Sequence, residues 1–286
     1  MKNILKLFAS FYTQRTFSTF FINSARIYVK STNQRYHSNL SRINLPDSSA
    51  SKSFKNLREA INVIHSSAKN RIKLGAVELS RVGQLLSEAT EPLEIISFSK
   101  MLYALRIYEF NEVKNILPLL AKRCSKLKQS FDAQAVGNTL YGLQNMKSDS
   151  SEVRAVLVEL GKKIAECKEP LKAQHVGNAL YGLQNMNIDS LEVRDVLREL
   201  GKKIAECKEP LRAQNVGNAL YGLKNMNSDS PEVRAVLVEL GKKIAESKEL
   251  LNAQEIGNAL YALKNMKGNS SEVRAVMKEI DKKKSN

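Results

Sequence analysis

Apolar and polar positions alternate in a pattern that repeats every forty residues over the second half of the chain. Each copy opens with the string Ala-Gln-x-Val/Ile-Gly-Asn-x-Leu-Tyr, and the copies begin at Ala133, Ala173, Ala213 and Ala253. In the second copy the apolar residues are spaced by three and four positions: Ala173, Val176, Leu180 and Leu183. This spacing predicts an amphipathic helix that ends near Met186.

A second helix is predicted in each copy. In the second copy its buried side consists of Val193, Val196, Leu197, Leu200 and Ile204. Residues suited to an N-cap recur in front of it: Ser150, Ser190, Ser230 and Ser270. Pro231 follows one of them, at the first helical position, where proline lacks only an N–H that has no intrahelical partner. Lys202, Lys203 and Glu206 are expected to be exposed.

A period of this size indicates one supersecondary unit that buries its apolar face only by stacking on its neighbours. The predicted fold is therefore all-α, an α-solenoid of stacked two-helix repeats of about 40 residues. Upstream, EPLEIISFSKMLYAL aligns with EPLKAQHVGNALYGL as a divergent copy, with Ile96 and Lys100 in place of Gln and Asn. The predicted organisation is a basic leader at 1–46, a linker and degenerate helical cap at 47–90, the divergent repeat at 91–131 and four near-identical repeats at 132–286.

The leader contains seven basic residues and no acidic one up to Pro46, with many Ser and Thr between them. This composition is typical of a mitochondrial or plastid transit peptide. The alternatives are a basic disordered tail and an arm that binds anionic lipid or RNA directly. No stretch is apolar and long enough to predict an integral membrane segment.

Basic residues are concentrated outside the clear repeats. The formal charge is +16, but residues 1–132 contain 21 Lys+Arg and 9 Asp+Glu, whereas residues 133–286 contain 24 and 20. The net charges of +12 and +4 that follow from these counts favour an anionic partner for the repeats only weakly. The cysteines Cys124, Cys167 and Cys207 are too few for a disulfide framework and indicate reduced thiols.

A polar stripe recurs on the first helix of every repeat, with a Gln, an Asn, a Tyr and a second Asn spaced by four, three and four residues. Its members are Gln134, Asn138, Tyr141, Asn145, Gln174, Asn178, Tyr181, Asn185, Gln214, Asn218, Tyr221, Asn225, Gln254, Asn258, Tyr261 and Asn265. Amides bond to base edges or peptide backbones, and Tyr rings stack on bases. Alternatively, the amides bond to neighbouring loops and the rings fill the space between repeats.

Two positions at the start of the first helix differ in every copy. They are Asp132, Lys172, Arg212 and Asn252, and three residues later Ala135, His175, Asn215 and Glu255. Variable side chains on a constant frame are typical of a protein that recognises one unit of its ligand per repeat. Neutral drift at exposed positions accounts for them equally well.

The string VGNALYGL at residues 176–183 resembles the octotricopeptide and heptatricopeptide repeats of organellar RNA-processing proteins, whose first helix has a similar Ala-Asn-x-Leu-Trp-Ala-Leu core. Tyr181 and its copies stand where that core has Trp. The resemblance covers roughly residues 91–286, which are also similar to short helical repeats of some intracellular bacteria. It implies an α-solenoid that binds RNA through the first-helix positions named above.

The expected function is non-enzymatic: binding of single-stranded RNA in organellar RNA processing, stability or translation. The alternative is a protein–protein interaction scaffold, such as a secreted effector with an organelle-directed leader. No phosphate loop, nucleophile motif or Cys/His cluster suggests a catalytic site, a metal, a cofactor or a small-molecule substrate. The expected location is the mitochondrion, with the plastid, or the cytoplasm or secretion, as alternatives.

Overall fold

The computed structural model describes residues 54–284, so the predicted leader at 1–46 lies outside the described residues. The described part contains α-helices and isolated bridges but no strand. In chain order the helices are α1 (Leu57–Lys69), α2 (Ala76–Glu88), α3 (Ile95–Ala104), α4 (Phe110–Val113), α5 (Leu117–Ser125), α6 (Ala133–Tyr141), α7 (Ser151–Glu166), α8 (Ala173–Tyr181), α9 (Leu191–Ala205), α10 (Ala213–Leu223), α11 (Pro231–Glu246), α12 (Ala253–Asn265) and α13 (Ser271–Lys282). A 3₁₀ turn, Leu105–Ile107, follows α3.

The helices contact one another in two series. Helices α1, α3, α6, α8, α10 and α12 each pack against the next member, and we call them the first-helix row. Helices α2, α5, α7, α9, α11 and α13 do the same and form the second-helix row. Each repeat therefore contributes one helix to each row. Each of these helices packs against the equivalent helix of the neighbouring repeat.

The apolar positions of the repeat form the contacts within and between these rows. The predicted core of α9, from Val193 to Ile204, is confirmed, because its five apolar residues are fully buried. The first-helix positions Ala173, Val176, Leu180 and Leu183 are also buried. Burial of a Val or Leu side chain contributes about 1.5–3 kcal/mol, so this repeated set is the main source of stability.

The first helix is shorter than predicted in the first three of the four clear repeats. In the second repeat, α8 ends at Tyr181 rather than near Met186. Beyond it the backbone tightens into i to i+3 hydrogen bonds, in which Leu183 N–H donates to the Leu180 carbonyl at 2.9 Å. The tightening follows Gly182, where an added Cβ would lie 2.0 Å from the Leu140 carbonyl oxygen of the preceding helix.

The second helices start where the sequence predicts. Ser150 and Ser270 accept a hydrogen bond from the N–H three residues on, whereas Ser190 and Ser230 occupy the N-cap without this bond. Helix α11 begins at Pro231, as predicted.

The prediction that Lys203 is exposed is wrong, because its side chain is only 8% exposed. Its ammonium lies 2.8 Å from Glu206. The equivalent Lys163 shows why the position is buried: its Nζ donates at 3.0 Å to the Leu127 carbonyl, which lies just beyond the end of α5. A cation beside the carboxyl end of a helix is favourable electrostatically, and the aliphatic stem covers apolar surface.

The three cysteines are free and buried. Burial raises the pKa of all three thiols, that of Cys124 to about 12. Because the thiolate is the reactive form, we expect iodoacetamide to label the native protein very slowly near pH 8, with Cys124 the slowest. Mass spectrometry of labelled peptides measures this, with protein unfolded in urea as the control. Equal labelling of Cys124 in native and unfolded protein would contradict the expectation.

Candidate nucleic-acid interface

The Gln positions of the polar stripe are accessible. Gln134, Gln174, Gln214 and Gln254 lie at the starts of their helices, and all four are exposed. Within residues 54–284 their side chains have no hydrogen-bond partner. Their amides are therefore available to a ligand that lies across the first-helix row.

The first Asn of the stripe, four residues after the Gln, is less exposed than the Gln. Asn138, Asn178 and Asn218 are half-buried, and Asn258 in the last repeat is exposed. In the described part of the chain, none of these four amides has a side-chain hydrogen bond. Partly buried amides usually find partners, so an unpartnered amide in the same place of every repeat indicates groups that an external ligand would satisfy.

The second Asn of the stripe belongs to the packing between repeats. Asn185 Nδ2 donates at 2.7 Å to the Gln144 carbonyl, and Asn225 Nδ2 donates at 2.9 Å to the Gln184 carbonyl. Asn145 makes the matching bond to the Arg106 carbonyl at 3.0 Å. In the last repeat Asn265 instead donates to Tyr261 of its own helix. This position, predicted as a binding candidate, is occupied by structural hydrogen bonds.

The tyrosines form a continuous stack across the first-helix row. Ring centroids are 5.9 Å apart for Tyr103 and Tyr141, 5.7 Å for Tyr141 and Tyr181, and 5.6 Å for Tyr181 and Tyr221. Such pairs contribute about 0.5–1.5 kcal/mol beyond the area they bury. Burial raises the pKa of the Tyr141 and Tyr181 hydroxyls. Tyr261 is 50% exposed, outside this series.

This stack changes the role that the sequence suggests for the rings. A base inserted between two rings needs about twice the ~3.4 Å rise of stacked nucleotides, which exceeds the observed spacing. A base cannot enter between two neighbouring rings unless the helices separate. The tyrosines therefore offer a ligand their outer edges and hydroxyls, and their faces hold adjacent repeats together.

The amino ends of the first helices are already occupied by carboxylates. Glu169 Oε2 accepts from Ala133 N–H at 3.2 Å, Glu209 from Ala173 at 3.0 Å and Glu249 from Ala213 at 3.1 Å. Each Glu comes from the loop that enters the following repeat. A helix amino end is a common phosphate site. Because Glu carboxylates occupy these amino ends, a phosphate would have to bind elsewhere on the row.

The first variable position is set partly by helix capping. Asp132 accepts from Ala135 N–H at 2.6 Å, and Asn252 accepts from Glu255 N–H at 3.0 Å. Glu255 in turn accepts a hydrogen bond from Asn252 N–H at 2.9 Å, which completes a capping box. Lys172 and Arg212, at the same place, are exposed.

The second variable position lies between helices. Ala135 is buried, so this candidate cannot contact a ligand. A Cβ on Gly137 would lie 3.1 Å from His175 Cα, and one on Gly177 would lie 3.2 Å from Asn215 Cα. His175 and Asn215 are half-buried against the preceding helix, and burial lowers the pKa of His175. Packing between repeats therefore constrains this position.

Charges are paired differently on the two rows. Ion pairs connect neighbouring second-row helices, as between Arg198 and Glu232 at 3.1 Å and between Arg234 and Glu272 at 2.8 Å. The hydrogen bond from Arg234 lowers the pKa of Glu272 to about 2. On the first-helix row several cations have no carboxylate within ion-pair distance among the residues that the structure describes; they include Lys69, Lys100, Arg106, Lys172, Arg212 and Lys224.

The described residues contain no group of three or more His, Cys, Asp or Glu side chains placed to bind a metal ion. No helix between residues 54 and 284 has both the length and the apolar character needed to cross a bilayer.

No protein-family model, curated protein or solved structure matches this sequence.

Proposed function

We propose that the repeats form an α-solenoid whose first-helix row binds single-stranded RNA. The observation that supports this most directly is the segregation of polar groups between the two rows. Unpartnered amides and several cations without carboxylate partners lie on the first-helix row, whereas ion pairs recur along the second-helix row. An extended, polyanionic strand with hydrogen-bonding bases complements such a surface.

The amides supply the recognition chemistry of the proposal. Asn178 and its copies have both a donor and an acceptor free, the combination that bonds to the edges of bases. Gln174 and its copies extend this series toward the amino ends of the helices. The strand would follow the row from repeat to repeat, with its bases against the amides and its phosphates near the unpaired cations.

The acid-poor composition of residues 1–46 supports mitochondrial import as the route to such an RNA. RNA processing, stability or translation is the corresponding proposed role. A protein-interaction scaffold is the second candidate, because the tyrosine faces are occupied and the helix amino ends are capped by Glu. Unpartnered amides also suit an extended peptide backbone.

Replacing Asn138, Asn178 and Asn218 together with Ala tests the proposal in the full chain. Each lost hydrogen bond costs about 0.5–1.5 kcal/mol, so we expect RNA affinity to fall about 10-fold or more. Thermal stability should be unchanged or slightly higher, because these amides have no partner in the described structure and Ala has the higher helix propensity. Fluorescence anisotropy with a labelled single-stranded RNA at about 50 mM salt measures the affinity.

The matched control removes charge from the other row by replacing Lys162, Lys202 and Lys242 with Gln. These lysines pair with Glu residues three positions earlier on the second-helix row, so RNA affinity should stay close to that of the wild type. Absence of RNA binding by the wild type at this salt would reject the RNA proposal and favour the scaffold. Equal weakening by both triple variants would reject the first-helix row as the site.

A further inference from the structure

The described part of the first-helix row begins with a group of cations around aromatic rings. Helix α1 contributes His65 and Lys69, one turn apart, and α3 contributes Lys100 and Tyr103, which face them. Lys100 Nζ donates to Asn62 Oδ1 at 3.3 Å, and the His65 and Tyr103 ring centroids are 5.7 Å apart. We call His65, Lys69, Arg71, Lys100, Tyr103 and Arg106 the basic end patch.

Arg106 joins this patch from the turn after α3. Its guanidinium carbon lies 4.3 Å from the Tyr103 ring centroid, in a cation–π contact. Its Nη1 is buried and has no hydrogen-bond acceptor among residues 54–284. A guanidinium donor without an acceptor is unusual in a folded protein, and an anionic oxygen would satisfy it once the side chain shifts enough to expose it.

The electrostatic surroundings have one sign. Burial lowers the pKa of His65, and the positive charges of Lys69, Lys100 and Arg106 lower it further. Arg106 and Arg71 also act on Tyr141, the next ring of the stack. None of the four cations of the patch forms an ion pair within the described part of the chain, so their charge is available to an external anion.

Arg71 adds a conformational observation. Its φ is +58°, in the left-handed region, immediately after Asn70 caps the end of α1. This place after a helix usually holds Gly, and a non-glycine residue there costs stability. A long cation therefore occupies a strained backbone position beside the patch.

We propose that the basic end patch anchors a backbone phosphate of the RNA strand, at the start of the first-helix row. The proposal rests on the proposed function, since it concerns the same ligand on the same surface. Several ammonium and guanidinium groups around the His65 and Tyr103 rings suit a phosphate, which offers several acceptor oxygens. The rest of the row has amides in place of Lys100, so phosphate binding at this end would set where the strand begins.

The salt dependence of RNA binding tests the anchor in the full chain. Each phosphate contact to a single strand contributes about 0.7 to the slope of log affinity against log salt. The variant Lys69→Gln with Lys100→Gln removes cations that hold this one phosphate, so it should lower the slope by about 0.7. The control Lys162→Gln with Lys202→Gln, on the second-helix row, should leave the slope unchanged. Melting curves establish that each variant is folded.

Arg71→Gly gives a second, independent readout. Removing the strain should raise the melting temperature, while loss of the cation should lower the slope by about 0.7. RNA binding with the wild-type slope in both patch variants would overturn the anchor and leave the proposed function standing. Failure of the wild type to bind RNA would overturn both, and binding to anionic lipid vesicles in its place would identify a different ligand for the patch.

Discussion

Replacing Gly182 with Ala is expected to destabilise the protein by about 3 kcal/mol or more, well beyond an ordinary overpacking substitution. A Cβ at this position would lie 2.0 Å from the Leu140 carbonyl oxygen and 2.8 Å from Tyr141 N. Both are backbone atoms, so no side chain can rotate away. Helices α6 and α8 would have to separate, which would also open the contact between Tyr141 and Tyr181.

Gly217→Ala is the matched control for this prediction. It also replaces a glycine within a first helix, but a Cβ there would have no atom within 4 Å. Because Ala leaves the unfolded chain fewer conformations than Gly does, this substitution should stabilise the protein by about 0.5–1 kcal/mol. Urea unfolding followed by circular dichroism measures both free energies. A Gly182→Ala variant as stable as the Gly217→Ala variant would show that close approach does not determine the spacing of the helices.

The fourth repeat provides a natural version of the first substitution, because it has Ala262 where the earlier repeats have Gly142, Gly182 and Gly222. Packing between the last two first-row helices is correspondingly looser. Gly137 and Gly177 lie against the following helix, whereas the equivalent Gly217 has open space beside it. Tyr261 is half exposed at the same place. The methyl group of Ala262 therefore accompanies a looser contact at the end of the row.

Arg123→Met is the second substitution expected to have a large effect, a loss of about 3–5 kcal/mol. Arg123 is 6% exposed, and none of the carboxylates between residues 54 and 284 forms an ion pair with it. Its Nε and Nη2 donate to the Leu86 carbonyl, at 3.0 and 2.5 Å, and its Nη1 donates to the Glu91 carbonyl at 3.1 Å. Nη2 also donates to the Ala89 carbonyl. The Met variant would leave the buried Leu86 carbonyl, in the last turn of α2, and the partly buried carbonyls of Ala89 and Glu91 without these donors.

Lys122→Met is the neighbouring control, because Lys122 is exposed and its side chain makes no such bonds. Its effect should remain within about 0.5 kcal/mol. Arg123→Lys should be milder than Arg123→Met, since Lys163 fills the equivalent place in the next repeat and bonds to the Leu127 carbonyl. Urea unfolding of all three variants measures the ranking. Equal stabilities of the Met variants at positions 122 and 123 would reject this account.

Periodicity predicted the parts of the structure that depend on residues close in sequence. Spacings of three and four placed Val193, Val196 and Leu200 on one buried face, and the serines before the second helices marked their starts. These are local properties, since a helix brings such residues together whatever surrounds it. The polar stripe was recognised for the same reason.

Burial and pairing across repeats were not predictable in this way. Asn178 and Asn185 share one stripe, yet only Asn185 reaches a carbonyl of the preceding repeat. Lys203 is of a residue type that usually lies on the surface, yet it is buried. The basic end patch brings His65 and Tyr103 together although 38 residues separate them, and neither belongs to a clear copy of the repeat.

The sequence by itself thus determined the helices, their apolar faces and the residues that recur on their polar faces. The tertiary structure decided which recurring residues remain free for a ligand, because that depends on how closely neighbouring helices approach. The approach is governed by backbone contacts such as that of Gly182 with the Leu140 carbonyl, and a difference of one methyl group alters it. Hydrophobic periodicity identifies the face on which a residue lies, whereas packing distance determines what covers that face.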